Sequence, residues 1–219
     1  MLIITIDGPS GVGKGTLALH LVEILQLNYL NSGSIYRSIA YIAEKNSIDL
    51  NDTEKLINIG ESIIFKVNPD NHDIDIIYDD KVINNRIFNE ETAKIASEIS
   101  SNKGLRLSLV SMQRSFAKEP GLIAEGRDMG SVIFPNAKIK FFLTANNETK
   151  AKRRLKQLKE KGINVSLSQL IDELNVRDKR DLTREASPLI VPDDALVIKT
   201  DSKSIKDVQK EAIEHIKKV

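Results

Sequence analysis

Apolar positions near the start of the chain change their spacing within a few residues. Residues 1–6 form a largely apolar, β-branched run that stops at Gly8 and Pro9. A short run of this kind, bounded by turn residues, is typical of a buried strand in a parallel sheet. Beyond Gly15 the apolar positions recur at helical spacing. They predict a helix that ends near Gln26 and buries one face, formed by Leu17, Leu21, Ile24 and Leu25.

Strand-like and helical patterns continue to alternate along most of the chain. Residues 27–46 predict a second short strand and a second helix, whose apolar side carries Ile35, Ile39 and Ile42. Further apolar runs predict strands at 121–125, 138–145 and 195–200. Strands that alternate with helices favour an α/β fold in which a parallel sheet has helices on both faces, a three-layer arrangement.

Two pairs of residues have the spacing of capping boxes. Ser166 is followed by Gln169, and Ser204 by Asp207. This spacing predicts that helices begin at these serines, because the side chains at the two positions can satisfy backbone N–H groups of the first turn. The predicted helices lie near 167–180 and 205–217.

Two segments depart from the α/β alternation. Residues 63–88 contain strand-like runs joined by turns rich in Asn, Asp and Pro, which predicts a small antiparallel meander inserted into the core. Helical stretches follow at 90–101 and 104–118. The second excursion, from 149 to about 188, is crowded with Lys and Arg.

Composition and charge exclude several kinds of protein. The 219 residues include 32 Lys and Arg against 31 Asp and Glu, so no overall field directs the chain to nucleic acid or to an acidic membrane surface. Cys is absent, and we expect the widely spaced His20, His72 and His215 to be structural or surface residues, not metal ligands. No apolar run reaches membrane-spanning length, and the N-terminal run is too short for a signal peptide. We expect a cytoplasmic monomer with neither nucleic acid nor membrane as a partner.

The stretch IDGPSGVGKGT, residues 6–16, carries the clearest chemistry. Its glycines follow a predicted strand and open a predicted helix, the context in which a Gly-rich loop binds phosphate. The backbone N–H groups of residues 11–16 can converge on phosphate oxygens, and Lys14 can reach the β and γ phosphates of a nucleotide. The loop differs from the common pattern, since Gly15 stands where a hydroxyl is usual and Thr16 carries the hydroxyl instead. The predicted ATP-binding residues are Gly8, Pro9, Ser10, Gly11, Val12, Gly13, Lys14, Gly15 and Thr16.

Gly-Lys-Gly-Thr resembles the loop of nucleoside monophosphate kinases more than that of GTPases, and no Asn-Lys-x-Asp motif occurs. Three further segments, NSGSIYR (31–37), GLIAEGRDMGSVIFPNA (121–137) and RDKRDLTREASPL (177–189), are similar, in that order, to the bacterial cytidylate kinase family. The resemblance covers nearly the whole chain. It implies a P-loop fold that transfers the γ-phosphate of ATP to CMP and dCMP, with Mg²⁺ as cofactor.

The resemblance also implies how the chain is divided. The 63–88 meander is similar to the enlarged acceptor-binding region of the family, and the basic excursion to its helical lid. We therefore expect one kinase domain whose acceptor insert covers 61–103 and whose lid covers 149–187. The core is then formed by 1–60, 104–148 and 188–219.

The reaction that the resemblance implies needs cations and no side-chain base, because the attacking phosphate oxygen is already anionic. The candidates are Lys14 and the arginines of the family-like motifs, whose planar forks suit phosphate oxygens. We expect catalytic roles for Lys14, Arg127, Arg177 and Arg184. One of Arg153 and Arg154 is implied near the adenine of ATP, and we take Arg153 as the ATP-binding residue.

Roles in CMP binding are carried over from the family's motifs. Asp128 is implied to accept from the cytosine amine, Ser97 and Arg106 to donate to the acceptor edge of the base, and Asp181 to hold the ribose hydroxyls. The full predicted set for CMP is Ser32, Arg37, Ser97, Arg106, Arg127, Asp128, Arg177, Asp181 and Arg184. Thr16 is a weak metal candidate, since Mg²⁺ would be held largely through phosphates and water.

Two positions differ from the family. Asn31 stands where relatives usually have Asp, so one carboxylate near the metal and phosphates is missing, and Glu125 often stands as Asp. Two alternatives stay open on the residues alone. One is another P-loop kinase, of the UMP/CMP or small-metabolite type, and the other is a nucleotide-binding module without transfer activity.

Overall fold

The computed structural model describes residues 1–68, 74–160 and 162–219. Its main sheet has five parallel strands in the order β2-β6-β1-β7-β8. These strands are β1 (Leu2–Asp7), β2 (Asn28–Asn31), β6 (Gly121–Glu125), β7 (Ile139–Thr144) and β8 (Leu196–Lys199). The predicted parallel sheet is therefore confirmed, with the strand that precedes the Gly-rich loop at its centre.

Helices cover both faces of this sheet. On one face lie α1 (Lys14–Leu25) and α9 (Ile205–Ile216), which pack on Ile4, Ile6 and Phe141 of the strands. The opposite face carries α2 (Ser32–Lys45), α3 (Thr53–Ser62), α5 (Glu90–Ile99) and α6 (Lys103–Arg114). Each face buries its own apolar cluster, as the three-layer prediction requires.

The predicted helix faces are correct for α2 and partly wrong for α1. Ile35, Ile39 and Ile42 are completely buried. Ile24, predicted on the buried face of α1, is 52% exposed, because the buried face includes Ala18 and Val22 as well as Leu17 and Leu21, so its centre lies away from Ile24. The helix α3 was not predicted, since only Leu56 and Gly60 of its ten residues are buried and its apolar pattern is weak.

The antiparallel meander is confirmed as a separate three-stranded sheet, in the order β3-β4-β5. Its strands are β3 (Ile64–Val67), β4 (Ile74–Tyr78) and β5 (Lys81–Val82), followed by the single helical turn α4 (Asn84–Ile87). Residues 69–73, which lie between β3 and β4 in the chain and include His72, are outside the described residues. Asn84, the first residue of α4, connects α4 to strand β4. Its side-chain amide donates to Ile74 O and accepts from Ile76 N.

The basic excursion forms two helices, α7 (Asn147–Glu160) and α8 (Leu167–Thr183). They share a small apolar core of Ala151, Leu158 and Leu170. At Ser166 the predicted cap is present but the box is incomplete, because the Gln169 side chain donates to Glu173 instead of returning to the cap.

The start of α9 matches the sequence prediction more fully, since Ser204 and Asp207 form a complete capping box. At the other end of this helix the ring of His215 packs edge-on against Phe141, which gives this histidine a structural contact. Within the described parts of the chain, no helix is long and apolar enough to cross a membrane.

Parallel pairing brings two loops of the main sheet side by side. β1 pairs with β6 from Leu2 opposite Gly121 to Ile6 opposite Glu125, so both strands end at the same edge. The Gly-rich loop leaves β1 at this edge, and the EGRDMG segment leaves β6 there. Ligands of open parallel sheets bind at the carboxyl ends of the strands, so the fold itself selects this edge for the site.

Two leucines of α1 test this description of the core. Leu21 is completely buried, whereas Leu19 is 52% exposed on the same helix. Leu21→Ala should lower the free energy of unfolding by about 2–5 kcal/mol, because it removes buried methyl groups and leaves a cavity. Leu19→Ala should change it by less than about 0.5 kcal/mol. Urea unfolding of the two variants measures both values, and equal losses would contradict the burial of Leu21.

Candidate functional site

The Gly-rich loop connects β1 to the first turn of α1. Gly13, at the N-cap of α1, has φ of 97°, a left-handed conformation that favours glycine. The Lys14 side chain is buried and turns back over the loop, where its ammonium donates to Pro9 O at 2.8 Å. The loop is thus closed by its own lysine at the positive end of a helix, an environment that favours phosphate oxygens.

Asp7 joins this loop to the segment that follows β6. Its two carboxylate oxygens accept from the backbone N–H groups of Met129 (2.9 Å) and Gly130 (2.7 Å). Burial raises the pKa of Asp7 to about 6. Residues Met129–Ile133 form a π-helical turn, which this carboxylate caps. Sequence reasoning did not select Asp7, although an acid at the end of an otherwise apolar strand was an available signal.

Gly15, the unusual residue of the loop, lies against Glu125. A Cβ placed on Gly15 would be 3.3 Å from Glu125 Oε1, tighter than ordinary contact. The Glu125 side chain is buried and accepts a hydrogen bond from the Tyr29 hydroxyl. A side chain at position 15 would compete with this carboxylate for space.

Asn31, the other departure from the family, caps a helix. Its side-chain oxygen accepts from the backbone N–H of Ser34 at 3.2 Å, at the N-terminus of α2. An amide at this position fulfils the capping role that an aspartate would also fulfil.

A pocket opens between α2, α5, α6, α8 and the end of β6, and we call it the acceptor pocket. It contains all nine residues that were predicted for CMP. Its full lining is Ser32, Gly33, Tyr36, Arg37, Ala96, Ser97, Ser100, Arg106, Gly126, Arg127, Asp128, Arg177, Asp181 and Arg184. Five arginines and two aspartates therefore meet here, which leaves a surplus of three positive charges.

The two aspartates of the acceptor pocket hold the arginines in place. Asp128 forms a buried ion pair with Arg106. Asp181 accepts from Arg127 Nε at 2.8 Å. Although burial opposes it, the Arg127 guanidinium lowers the pKa of Asp181. Asp181 therefore keeps its charge, and both aspartates position the cations around them.

Arg184 lies between these two aspartates. Its guanidinium nitrogens are 3.8 Å from Asp128 and 3.7 Å from Asp181, too far for direct hydrogen bonds, and its Nε donates to Ser187 O at 2.7 Å. Three buried polar atoms at the pocket have no protein hydrogen-bond partner. They are Arg184 Nη2, Arg106 Nε and Tyr36 Oη. Buried polar groups are normally satisfied, so these three atoms mark positions where a polar ligand would be bound.

Cations also repel one another between the pocket and the Gly-rich loop. Burial and the Arg127 charge lower the pKa of Lys14 to about 7. Burial and Arg127 lower the pKa of Arg177 to about 10, and burial with Arg154 does the same for Arg37. An anion placed among these groups would relieve their mutual repulsion.

The remaining predicted residues have protein partners. Ser97 accepts from Arg180 Nη1 at 2.9 Å, and Ser32 donates to Gln113 at 2.6 Å. Arg37 donates to the carbonyls of Ile87 and Asn89. Sequence reasoning missed Tyr36, Gln113 and Arg180, although Tyr36 and Arg180 stand inside the quoted motifs.

Arg153 and Arg154 point to different parts of the molecule. Arg153 donates to Thr200 O (2.6 Å) and Oγ1 (3.0 Å) at the end of β8, and Thr200 in turn donates to Val12 O of the Gly-rich loop. Arg154 instead pairs with Glu90 of α5. Of the two, Arg153 is therefore the one beside the loop. Thr16 of the loop is exposed.

Comparison with known proteins identifies close relatives along the whole chain. A family model described as cytidylate kinase matches residues 4–218. Cytidylate kinase 1 of Haemophilus influenzae is 42% identical over 217 residues, covering 99% of this chain and 94% of that protein. The cytidylate kinase of Pasteurella multocida is 40% identical over 215 residues, covering 98% and 95%.

Solved structures that resemble this protein support the fold alone. An uncharacterized protein from Eubacterium ventriosum has a TM-score of 0.55 at 14% identity, covering 99% of both chains. A gluconokinase from Sinorhizobium meliloti has a TM-score of 0.52 at 11% identity, covering 99% of this chain and 92% of its own.

The kinase interpretation is confirmed, and neither a different small-molecule kinase nor a non-catalytic module is favoured. Identity of about 40% along the entire length shows that the chain belongs to the cytidylate kinase family, the ATP-dependent enzymes that phosphorylate cytidine monophosphates.

Proposed function

We propose that the Gly-rich loop holds the triphosphate of ATP while the acceptor pocket holds CMP or dCMP, so that the γ-phosphate passes between them to give ADP and CDP. The observation that carries this assignment is the surplus of three positive charges in the pocket, beside a buried lysine of the loop. Two polyanions must approach each other for the transfer, and only a preorganised set of cations offsets their repulsion.

The catalytic cations would act from two sides. Lys14 approaches the β and γ phosphates from the loop, and Arg127, Arg177 and Arg184 approach the transferred group from the pocket. Arg37 would hold the phosphate of CMP. No side-chain base is needed, because the attacking phosphate oxygen is anionic near neutral pH.

Base recognition would use the buried ion pair at the bottom of the acceptor pocket. Asp128 keeps a carboxylate oxygen beyond its bond to Arg106, and that oxygen can accept from the cytosine amine. Arg106 Nε and Ser97 can donate to the acceptor edge of the base. Asp181 would hold the ribose, and Ser32 would contact the nucleotide from α2.

Magnesium fits this site as an ion held mostly by phosphates and water. Among the described residues, no cluster of three or more His, Cys, Asp or Glu side chains could form an all-protein metal site. Mg²⁺ usually binds through one or two protein oxygens, several waters and substrate phosphates. Thr16 and the Glu125 carboxylate beside Gly15 would hold its water shell, and the ion would neutralise charge on the phosphates.

The acceptor insert (61–103) and the lid (149–187) would close over both nucleotides and exclude water. Three contacts already cross between them: Arg154 with Glu90, Arg180 with Ser97, and Lys103 of α6 with Glu185 just beyond α8. These boundaries, like a monomeric state and a cytoplasmic location, stay predictions.

A coupled assay of ADP formation tests the proposed reaction. ATP and Mg²⁺ should give ADP rapidly with CMP or dCMP and only slowly without an acceptor, because water should be excluded from the γ-phosphate. A panel that includes UMP and AMP ranks the acceptors. Equal ADP formation with and without CMP would indicate an ATPase, and none in either case would indicate a binding protein.

The lowered pKa of Lys14 predicts a proton uptake that accompanies ATP binding. At pH 8 a lysine with a pKa of about 7 is mostly neutral, and triphosphate oxygens favour its charged form, so binding should take up close to one proton. At pH 6 the lysine is already charged and the uptake should fall. Calorimetry of Mg-ATP binding in buffers of different ionisation enthalpy measures this number.

Lys14→Met is the matched control for that measurement, since it keeps the length of the side chain and removes its proton. The difference between wild type and variant cancels protons exchanged by ATP itself. We also expect kcat to fall by roughly a hundredfold or more, because the lost charge faces oxygens that become more negative in the transition state. The same uptake in Lys14→Met at pH 8 would show that another group titrates.

Discrimination between CMP and UMP is expected to depend on Asp128. UMP presents an oxygen where CMP presents its amine, so the carboxylate should attract CMP and repel UMP. Asp128→Asn, which can donate or accept, should lower the CMP/UMP ratio of kcat/KM by about tenfold or more. Asp181→Asn is the control in the same pocket and should impair both nucleotides alike, because they share the ribose. An unchanged ratio in Asp128→Asn would mean that Asp128 does not read the base.

A further inference from the structure

A second buried lysine, Lys150, has no part in the proposed reaction. It lies on the first turn of α7, is 1% exposed, and donates to Asp178 of α8. The other oxygen of Asp178 is buried without a protein partner. A buried ion pair costs desolvation and is weak evidence for stability, so its presence calls for a role beyond holding two helices together.

The packing of α7 on α8 does not depend on this pair. The two helices already share the apolar core of Ala151, Leu158 and Leu170. An apolar side chain at position 150 could extend that core without the cost of desolvation. The ion pair adds a defined register between the two helices. A charged hydrogen bond forms at only one register, whereas apolar contacts can form at several.

Lys150 also contacts the Gly-rich loop. A Cβ placed on Gly11 would lie 3.3 Å from Lys150 Cβ and 3.6 Å from its Cα, so the backbone of α7 lies directly behind the loop. The ammonium end of the same side chain reaches α8. Lys150 therefore connects the loop that would bind ATP to the lid helix that carries Arg177, Asp181 and Arg184.

Arg177 immediately precedes Asp178, and the two side chains leave α8 in different directions. Arg177 lines the acceptor pocket and lies close enough to Lys14 to affect its pKa, whereas Asp178 faces α7. Consecutive residues of a helix are separated by about 100° around its axis. Fixing Asp178 against Lys150 thus fixes the rotation of α8, and with it the direction of Arg177.

We propose that Lys150 is a positioning residue for phosphoryl transfer: its ion pair with Asp178 sets α8 against the Gly-rich loop and holds Arg177 toward the transferred phosphate. The inference rests on the proposed catalytic role of Arg177. It predicts that the effect of Lys150 on the reaction passes through that arginine. A small displacement of a catalytic group lowers the rate of the chemical step without abolishing substrate binding.

A double-mutant cycle in kcat tests this coupling. Lys150→Met, Arg177→Ala and the double variant are assayed with saturating ATP and CMP. Lys150→Met should lower kcat about tenfold and Arg177→Ala about a hundredfold. The double variant should be no slower than Arg177→Ala, because removing the arginine leaves nothing for Lys150 to position.

Lys140→Met is the matched control. Lys140 is 5% exposed, lies on β7, and pairs with Asp194 at 2.8 Å, so its removal also takes away a buried charge and lowers Tm. Lys140→Met should leave kcat within about twofold of its starting value, both in the wild-type protein and in Arg177→Ala. Lys150→Arg, which keeps the charge, should recover most of the rate.

Lys150→Met leaves the Asp178 carboxylate unpaired, so Lys150→Met/Asp178→Asn is measured beside it. This variant removes both charges and should show the same loss of kcat with a smaller loss of Tm. Unchanged kcat in either variant, or losses that multiply in the Arg177→Ala background, would overturn the positioning role. Normal kcat in Arg177→Ala would instead contradict the proposed role of Arg177 itself.

Discussion

Mutual repulsion among buried cations is the constraint on which this structure depends. An enzyme that joins two polyanions must hold several arginines within one pocket, where each disfavours the charge of the next. Here Asp128 and Asp181 offset that repulsion, one through Arg106 and the other through Arg127, while both stay near Arg184. The two aspartates fix the geometry of the arginines without neutralising the set, so a positive surplus is left for phosphate.

The fold brings these charges together from distant parts of the sequence. Asp128 follows β6, Asp181 lies on α8, and Arg106 lies on α6, so the pocket exists only when these three segments pack together. Asp7 also helps to position charges of the pocket. Its carboxylate accepts from the backbone N–H groups of Met129 and Gly130, and so it fixes the backbone directly after Arg127 and Asp128.

The sequence predicted most of the fold, because alternating strand and helix patterns were sufficient for the parallel sheet. Resemblance to the family, rather than any local pattern, selected the residues that the structure brings together in the acceptor pocket. The pairing of those residues could not be predicted. Arg106 and Asp128 were assigned separately to the base, and only tertiary structure shows that they form an ion pair with each other.

Other differences have equally specific causes. Periodicity places Ile24 on the apolar side of α1, but the side that meets the sheet also includes Ala18 and Val22, so its centre lies away from Ile24. The short helix α3 buries too few side chains to give a pattern at all. Asn31 was interpreted as a lost carboxylate, and its use as a helix cap becomes visible only when the backbone of Ser34 is in place.

The ion pairs that join the insert to the lid are more exposed to solvent than the ion pair within the lid. Lys103 and Glu185 are 57% and 76% exposed, and pairs of this kind contribute only about 0–1 kcal/mol. The pair of Arg154 with Glu90 is also partly exposed. We expect these two pairs, and the hydrogen bond from Arg180 to Ser97, to break when the proposed cleft opens.

The pair of Lys150 with Asp178 lies at the other extreme, since its side chains are 2% and 15% exposed and it joins α8 to the helix behind the Gly-rich loop. Breaking it would leave charges unpaired away from water, at a cost well above that of a surface pair. We therefore expect the cleft to open between insert and lid, with Arg177 remaining on the side of ATP. The acceptor nucleotide would then enter and leave without disturbing the cations around the donor phosphate.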